Sequence, residues 1–232
     1  MEAIILAGGF GTRLRPAVAD LPKSMANING RPFLEFLLDR LIQSGVTHVI
    51  LSVGYMHEII MDHFNSVYKS LKISYAIETE PLGTGGGIRM AMRQANSENV
   101  LVLNGDTLFM LDIKTFSDFH NSRKSLFSIA LRQVESTSRY GSVIIDNEGI
   151  ISGFTEKNEQ ESSGLINAGI YLISRKYIIE LPLPEVFSIE KDLIQKAFQT
   201  NLFYGFPDSG YFIDIGIPED YIRAQTEFRK LL

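Results

Sequence analysis

Between Leu6 and Lys23 the chain reads Leu-Ala-Gly-Gly-Phe-Gly-Thr-Arg-Leu-Arg-Pro and, after a short spacer, Leu-Pro-Lys. No other stretch limits the fold as much. The apolar run Ala3 to Leu6 reads as a buried first strand, and it empties into a loop with glycine at Gly8, Gly9 and Gly11. Residues without a Cβ let backbone N–H groups approach an anion closely, and arrays of such groups bind phosphate. Arg13 adds a planar fork for phosphate oxygens and Lys23 a movable point charge. A phosphate grip at the carboxyl end of a strand is where open α/β sheets bind their ligands. Two familiar phosphate motifs do not fit. A dinucleotide fingerprint needs a third glycine where this chain runs on to Leu14, and a P-loop needs Gly-Lys-Ser/Thr where it has Gly11-Thr12-Arg13.

The rest of the first half alternates strand and helix patterns. Phe33, Phe36, Leu37 and Leu41 recur at helical spacing between Pro32, placed to open a helix, and Gly45, placed to stop it. His48 to Val53, Ile73 to Ile77 and Val100 to Leu103 read as strands, and Glu58 to Phe64 as a short helix. A glycine-rich turn, Gly83 to Gly87, leads into a helix through Arg89, Met92 and Ala95. The rhythm predicts a parallel sheet covered by helices on both faces. The second half has more strands: Leu126 to Val134, Ser142 to Ile145, Ile150 to Thr155, Ile166 to Ile173 and Leu202 to Phe206. The composition of Asp146-Asn147-Glu148-Gly149 is that of a hairpin turn. Glu190 to Phe198 reads as a helix, and Pro218 to the end as another. No Ser/Gly/Pro linker divides the halves. The expectation is one Rossmann-like α/β domain, 1–232, with a mixed central sheet.

Bulk properties narrow the class. A chain of 232 residues fits one α/β domain, and 45% apolar with 21% charged residues is ordinary for a soluble protein. A net charge of −5 argues against a nucleic-acid surface but leaves room for a local basic pocket. There is no cysteine, which excludes disulfides and thiolate metal sites. No basic leader and no apolar run of spanning length is visible, so the expectation is a cytoplasmic protein without a membrane partner. A homo-oligomer is compatible with the sequence.

Two aspartates stand at predicted strand ends. Asp106 follows the run Val100 to Leu103, and Asp214 sits between Tyr211-Phe212-Ile213 and Ile215-Gly216-Ile217-Pro218. Either alone is ordinarily a turn or cap residue. Together they could hold Mg²⁺, which takes few protein ligands and substrate phosphates for the rest. In the segment Glu78 to Gly87, Glu80 is either a solvated loop carboxylate or a reader of guanine, whose N1–H and exocyclic amine a carboxylate can accept. The histidines show no metal spacing.

The opening pattern Leu-Ala-Gly-Gly-x-Gly-Thr-Arg-Leu with Pro-Lys resembles the sugar-1-phosphate nucleotidyltransferase family. So do Gly105-Asp106, Tyr140-Gly141-Ser142-Val143, Phe154-Thr155-Glu156-Lys157, Ile166-Asn167-Ala168-Gly169 and the Asp-x-Gly-x-Pro run at Asp214. The resemblance spans Leu6 to Pro218. It implies a glycosyltransferase-A-like fold with a nucleotide half, about residues 1–110, and a sugar half, about 111–232. It assigns phosphate chemistry to Arg13 and Lys23, and Mg²⁺ to Asp106 and Asp214. Nucleotide contacts fall to Leu6, Ala7, Gly8, Gly9, Gly11, Thr12, Glu80, Gly83, Thr84 and Asn104. Sugar contacts fall to Gly141, Glu156, Lys157, Asn167 and Gly169. Runs such as Leu21-Pro22-Lys23-Ser24-Met25-Ala26 and Tyr211 to Tyr221 look closest to the branch that joins GTP to a heptose 1-phosphate, although Ser24 stands where relatives commonly have proline. No six-residue repeat follows, so a C-terminal β-helix is not expected. The alternatives are a uridylyl- or thymidylyltransferase acting on hexose or N-acetylmuramic acid 1-phosphate, and a non-catalytic nucleotide-binding regulatory subunit.

Overall fold

The apolar strand that opens the chain is buried on both faces, so the rest of the fold has to cover it from two sides. The structure, a computed structural model, describes residues 1–14, 18, 20–155, 162–198 and 203–231. The chain runs through β1 (Glu2–Leu6), a 3-10 turn (Lys23–Met25), β2 (Asn27–Ile28), β3 (Arg31–Pro32), α1 (Phe33–Gln43), β4 (His48–Val53) and α2 (His57–Phe64). Next come β5 (Val67–Tyr68), β6 (Leu71–Ile77), α3 (Gly83–Met92), β7 (Asn99–Asn104), β8 (Thr107–Phe109) and α4 (Ile113–Ser122). It continues with β9 (Phe127–Val134), β10 (Ser142–Ile145), β11 (Ile151–Thr155), β12 (Gly164–Ser174), α5 (Arg175–Glu180) and a π-helix (Ile189–Ile194). Last come α6 (Gln195–Ala197), β13 (Phe203–Asp208), β14 (Phe212–Asp214) and α7 (Pro218–Leu231).

One sheet carries the architecture, in the order β11-β10-β12-β7-β1-β4-β6-β5, with β9 beside β12 and β13 beside β9. Strands β7, β1, β4 and β6 are parallel, as the alternating first half predicts. Strand β12 joins the two regions: its C-terminal part pairs antiparallel with β7, and its N-terminal part with β10. Side chains alternate across β1, so Ala3 and Ile5 face one core and Ile4 faces the other. The first core is closed by α1, α2, α4 and α7, the second by α3, α5 and the π-helix. Each fully buried aliphatic in these layers contributes roughly 1.5–3 kcal/mol. That covering holds the strand ends, and the loops leaving them, in fixed positions.

Two expectations change. Gly83 to Gly87 is not a turn before a helix but the first turn of α3 itself. Its backbone N–H groups would otherwise lack partners, and the Phe187 carbonyl accepts from Gly85 at 3.0 Å and Gly86 at 3.3 Å. These glycines are small because the 183–188 segment packs directly on them, with Phe187 against Gly83 and Gly85 and Glu185 against Gly86. The expected helix Glu190 to Phe198 is a π-helix running into the short α6. Ser188 caps it, its side chain accepting from the Lys191 N–H, and Glu190 is tethered sideways rather than along the helix. The strand ending at Asp214 was expected, but β8 and its pairing with β14, the β2–β3 hairpin, α4 and α5 were not legible as elements.

Glu2 fastens the edge of the core. Burial pushes its carboxyl up, but His48 and the N–H groups of Ser97 (2.5 Å) and Asn96 (2.6 Å) outweigh that and hold it down to about 2. Its stabilising contribution is therefore complete above its ordinary 4.5 and lost as pH falls from there towards 2. A displacement of that size corresponds to about 3 kcal/mol at most. Glu2→Gln is expected to lower the urea midpoint at neutral pH, with the gap to wild type closing between pH 4.5 and 2; a constant gap across that window would refute the account.

Candidate active site

The register of a three-residue ribbon assembles the centre of the site. β7 ends at Asn104, and Gly105-Asp106 turns the chain into β8. β14 pairs antiparallel with β8, placing Asp214 opposite Thr107, and the Ile215 N–H donates to the Asp106 carbonyl at 2.9 Å. Two carboxylates far apart in sequence thus face the same space. Lys23 comes from the 3-10 turn: its ammonium donates to Asp106 Oδ2 and lies 3.8 Å from Asp214 Oδ1. Gly11 nests against this lysine. Its φ of +59° favours glycine, and a Cβ there would come 3.1 Å from Lys23 Cβ. Burial raises the Asp214 carboxyl above its ordinary value, the Asp106 charge raises it further, and Lys23 and the Gly216 N–H (2.7 Å to Oδ1) oppose both.

Three cavities meet here, and Asp106 lines all of them. The largest, about 600 Å³, is walled by the glycine loop, Gly54, Tyr55 and the segment Ile77 to Thr84. A cavity of about 210 Å³ lies over Ala7, Gly11, Thr12, Arg13 and Lys23. The third, about 290 Å³, takes in Arg13, Asn104, Arg139, Tyr140, Gly141, Asn167, Gly169 and Asp214. Leu6 and Gly9 line the first two, and Thr84 and Asn104 the first and third; Gly8, Glu80 and Gly83 line the first. The structure therefore gathers every described residue that the sequence singled out into one connected depression. Glu156 and Lys157 lie outside the described residues.

Within that depression some backbone groups are already engaged. The Ala7 N–H donates to the Ser52 carbonyl at 2.7 Å, so Ala7 lines the second cavity without an N–H to offer an anion. Gly9 has open space around it. Asn167 stands before a bulge in β12, where Gly169 has φ +71° and the register shifts between Asn167 and Tyr171. Its Oδ1 accepts from the Gly169 N–H at 3.0 Å and its Nδ2 donates to the Tyr171 hydroxyl at 2.8 Å.

Several wall residues were given no role by the sequence. Glu78 has both carboxylate oxygens committed, one to the Ser52 hydroxyl at 3.0 Å and one to the Leu82 N–H at 3.1 Å, and so holds the loop on which Glu80 stands exposed. Phe10, half exposed, meets Tyr55 with ring centroids 5.5 Å apart. Arg139 donates to the buried Asp220 at 2.5 Å; its place beside the Tyr140-Gly141 motif was its one legible cue. Burial and the Asp214 charge push the Tyr140 phenol up to about 12, so it stays a donor at neutral pH. Glu190, read only as part of a helix, lines the third cavity.

Two carboxylates that repel one another in a mostly buried place, relieved here by an ammonium, are the hard oxygen donors Mg²⁺ prefers. Among the described residues no third histidine, cysteine or carboxylate joins them. The pair fits a cation whose other ligands come from substrate and water. Among the described residues no helix is long and apolar enough to cross a membrane.

This doubly covered sheet, with a glycine loop, a lysine and two carboxylates at its strand ends, defines a nucleotidyl-transfer fold. The sequence pattern described as nucleotidyl transferase matches residues 2–230, and the chain belongs to that family. It is 47% identical over 230 residues, 99% of each chain, to the D-glycero-alpha-D-manno-heptose 1-phosphate guanylyltransferase of Aneurinibacillus thermoaerophilus. It is 41% identical to the protein of the same name from Campylobacter jejuni, over 95% of this chain and 97% of that one. The crystal structure of HddC from Yersinia pseudotuberculosis superposes with a TM-score of 0.87 at 40% identity, covering 98% of this chain and 99% of that one, and HddC has also been crystallised with GMP-PN.

Because Asp214 is held above its ordinary 3.8, its charge costs folding stability at neutral pH, a cost that disappears once the carboxyl is protonated. Asp214→Asn is expected to raise the urea midpoint at pH 7 while abolishing turnover. Its advantage over wild type should shrink as pH falls towards 3.8. A variant less stable than wild type at pH 7 would refute this.

Proposed function

We propose that the chain transfers a nucleotidyl group from GTP to D-glycero-α-D-manno-heptose 1-phosphate, giving GDP-heptose and pyrophosphate. The observation that carries the reaction class is the junction at Asp106, where three cavities share a wall beside Lys23, Arg13 and Asp214. The choice of base and sugar is supported by the names of the relatives and by Glu80, a carboxylate exposed in the largest cleft. We assign the largest cleft to the nucleoside, the second to the triphosphate and the third to the sugar. That division is supported by the walls. The first cleft draws only on residues from Leu6 to Asp106, whereas the third draws on both halves of the chain.

The attacking phosphate oxygen of the sugar 1-phosphate is already ionised, so no protein nucleophile or general base is required. What remains is alignment for in-line displacement at the α-phosphorus and stabilisation of charge. Arg13 lines both the triphosphate and the sugar cavities, which suits it to the phosphates that separate in the reaction. Lys23 offsets one charge of the carboxylate pair, and its four-carbon stem lets the ammonium turn to a phosphate oxygen. Asp106 and Asp214 would hold Mg²⁺, which supplies neutralisation of phosphate charge when bound. Asn167, Gly141 and Gly169 offer an amide and close backbone to sugar hydroxyls.

The test is pyrophosphate release with Mg²⁺, pairing GTP, UTP, dTTP, ATP and CTP with heptose, mannose and glucose 1-phosphates. Release confined to GTP with the heptose phosphate is the expected result. Turnover with a different pair would keep the chemistry and retire the assignment of Glu80, and silence throughout would favour a regulatory subunit. Lys23→Ala should lower kcat by about 10²–10³-fold with the fold intact by circular dichroism; near-wild-type turnover would remove Lys23 from the mechanism.

A further inference from the structure

Glu190 lies in the first turn of the π-helix and lines the third cavity beside Thr84 and Asn167. π-turns are rare and recur at functional sites. A carboxylate only accepts hydrogen bonds, with about two lone-pair positions on each oxygen. Oε2 is fully used: the hydroxyls of Thr84 and Ser188 each donate to it at 2.8 Å. The Thr84 hydroxyl oxygen in turn accepts the Ile189 N–H at 2.9 Å, which fixes the direction of the chain of donors. Oε1 receives the Tyr171 hydroxyl at 3.4 Å, long for a bond of this type, and a lone-pair position remains beyond it.

An acceptor-only group in a cavity wall selects a donor. It repels phosphate, so a sugar 1-phosphate entering this cavity is oriented with its hydroxyls towards Glu190 and its phosphate towards Arg13, which lines the same space. We propose that Glu190 determines acceptor specificity: Oε1 accepts a hydrogen bond from one sugar hydroxyl, while Oε2 anchors that contact to Thr84 in the first turn of α3, beside the largest cleft. The proposal rests on the sugar-phosphate reading above. The contact is charge-assisted and at least partly shielded from water, so losing it should cost about 10- to 100-fold in kcat/KM.

The experiment is a double-perturbation cycle with heptose 1-phosphate and its monodeoxy analogues, each lacking one hydroxyl, on wild type and Glu190→Gln. Wild type should lose about 10- to 100-fold on one analogue. Glu190→Gln should show a similar loss on the parent sugar phosphate and little further loss on that analogue, with KM for GTP almost unchanged. A merely structural role for Glu190 would leave the losses multiplicative for every analogue, and that result overturns the proposal. Glu190→Asp, which withdraws the carboxylate by one methylene, gives the same readout should the glutamine variant fold poorly. A wild-type chain silent with every sugar 1-phosphate overturns the functional reading and this proposal with it, whereas an active wild type with multiplicative losses overturns this proposal alone.

Discussion

Like charges brought together in a mostly buried place have to be relieved, and Lys23, paired with Asp106 and 3.8 Å from Asp214, offsets one of the two charges at the junction of the three cavities. Everything around it serves that arrangement. The β8–β14 register puts Asp214 opposite Thr107, the glycine at position 11 gives Lys23 its room, and the Gly216 N–H supports Asp214 from behind. The cluster is not an optimal structural salt bridge, since the Asp214 carboxyl remains raised despite the lysine. Burying an ion pair rarely stabilises a fold by itself. A group that is charged although its surroundings disfavour the charge is better suited to receiving a cation and a polyphosphate than to holding strands together.

The parts of this site that the sequence revealed are those built by local grammar. A strand that ends in glycines and a lysine after proline each carry their meaning within a few residues. Arg13 and Lys23 became candidates for that reason, whereas Asp106 and Asp214, each ordinarily a turn or cap residue, became a candidate metal pair through the family resemblance. What was hidden depends on contacts between distant segments. Nothing near Glu190 announces that it reaches Thr84, and a helical reading of Glu190 to Phe198 has no means of finding a π-turn that carries such a tether. Gly85 and Gly86 read as part of a turn before a helix, yet their smallness is required by Phe187 and Glu185. Glycine announces that something comes close. It does not say what.

The same 183–188 segment explains how the start of α3, beside the largest cleft, keeps its shape. Arg89 donates to the carbonyls of Leu181, Leu183 and Pro184, and its guanidinium lies 4.7 Å from the centre of the Phe187 ring. Phe187 then accepts the first N–H groups of α3. A glycine-rich helix start would lose roughly 1 kcal/mol per glycine relative to alanine, so the packing of this segment has to supply its order. From the other side, Glu78 fastens the Ser52 hydroxyl and the Leu82 N–H. The loop that carries Glu80 is thus pinned at both ends, while its exposed tip faces the cleft.

Strand β12 connects this wall to the third cavity. It pairs with β7 at one end and β10 at the other, and the bulge at Gly169 lies between. The bulge displaces the chain just where β7 ends at Asn104, and Gly169 packs on that asparagine's amide. A regular strand would carry Asn167 along the pleat; the bulge instead lets its side chain bond back to the Gly169 N–H and forward to Tyr171. Tyr171 reaches Glu190, and Glu190 reaches Thr84 at the edge of the largest cleft. A continuous line of hydrogen bonds therefore runs from the strand beside one cavity to the start of α3 beside another. In-line transfer needs both reactants fixed in one frame, because small misplacements of the attacking oxygen are costly. The shared sheet supplies that frame at the backbone, and this line of side chains extends it to the groups that would touch the two substrates.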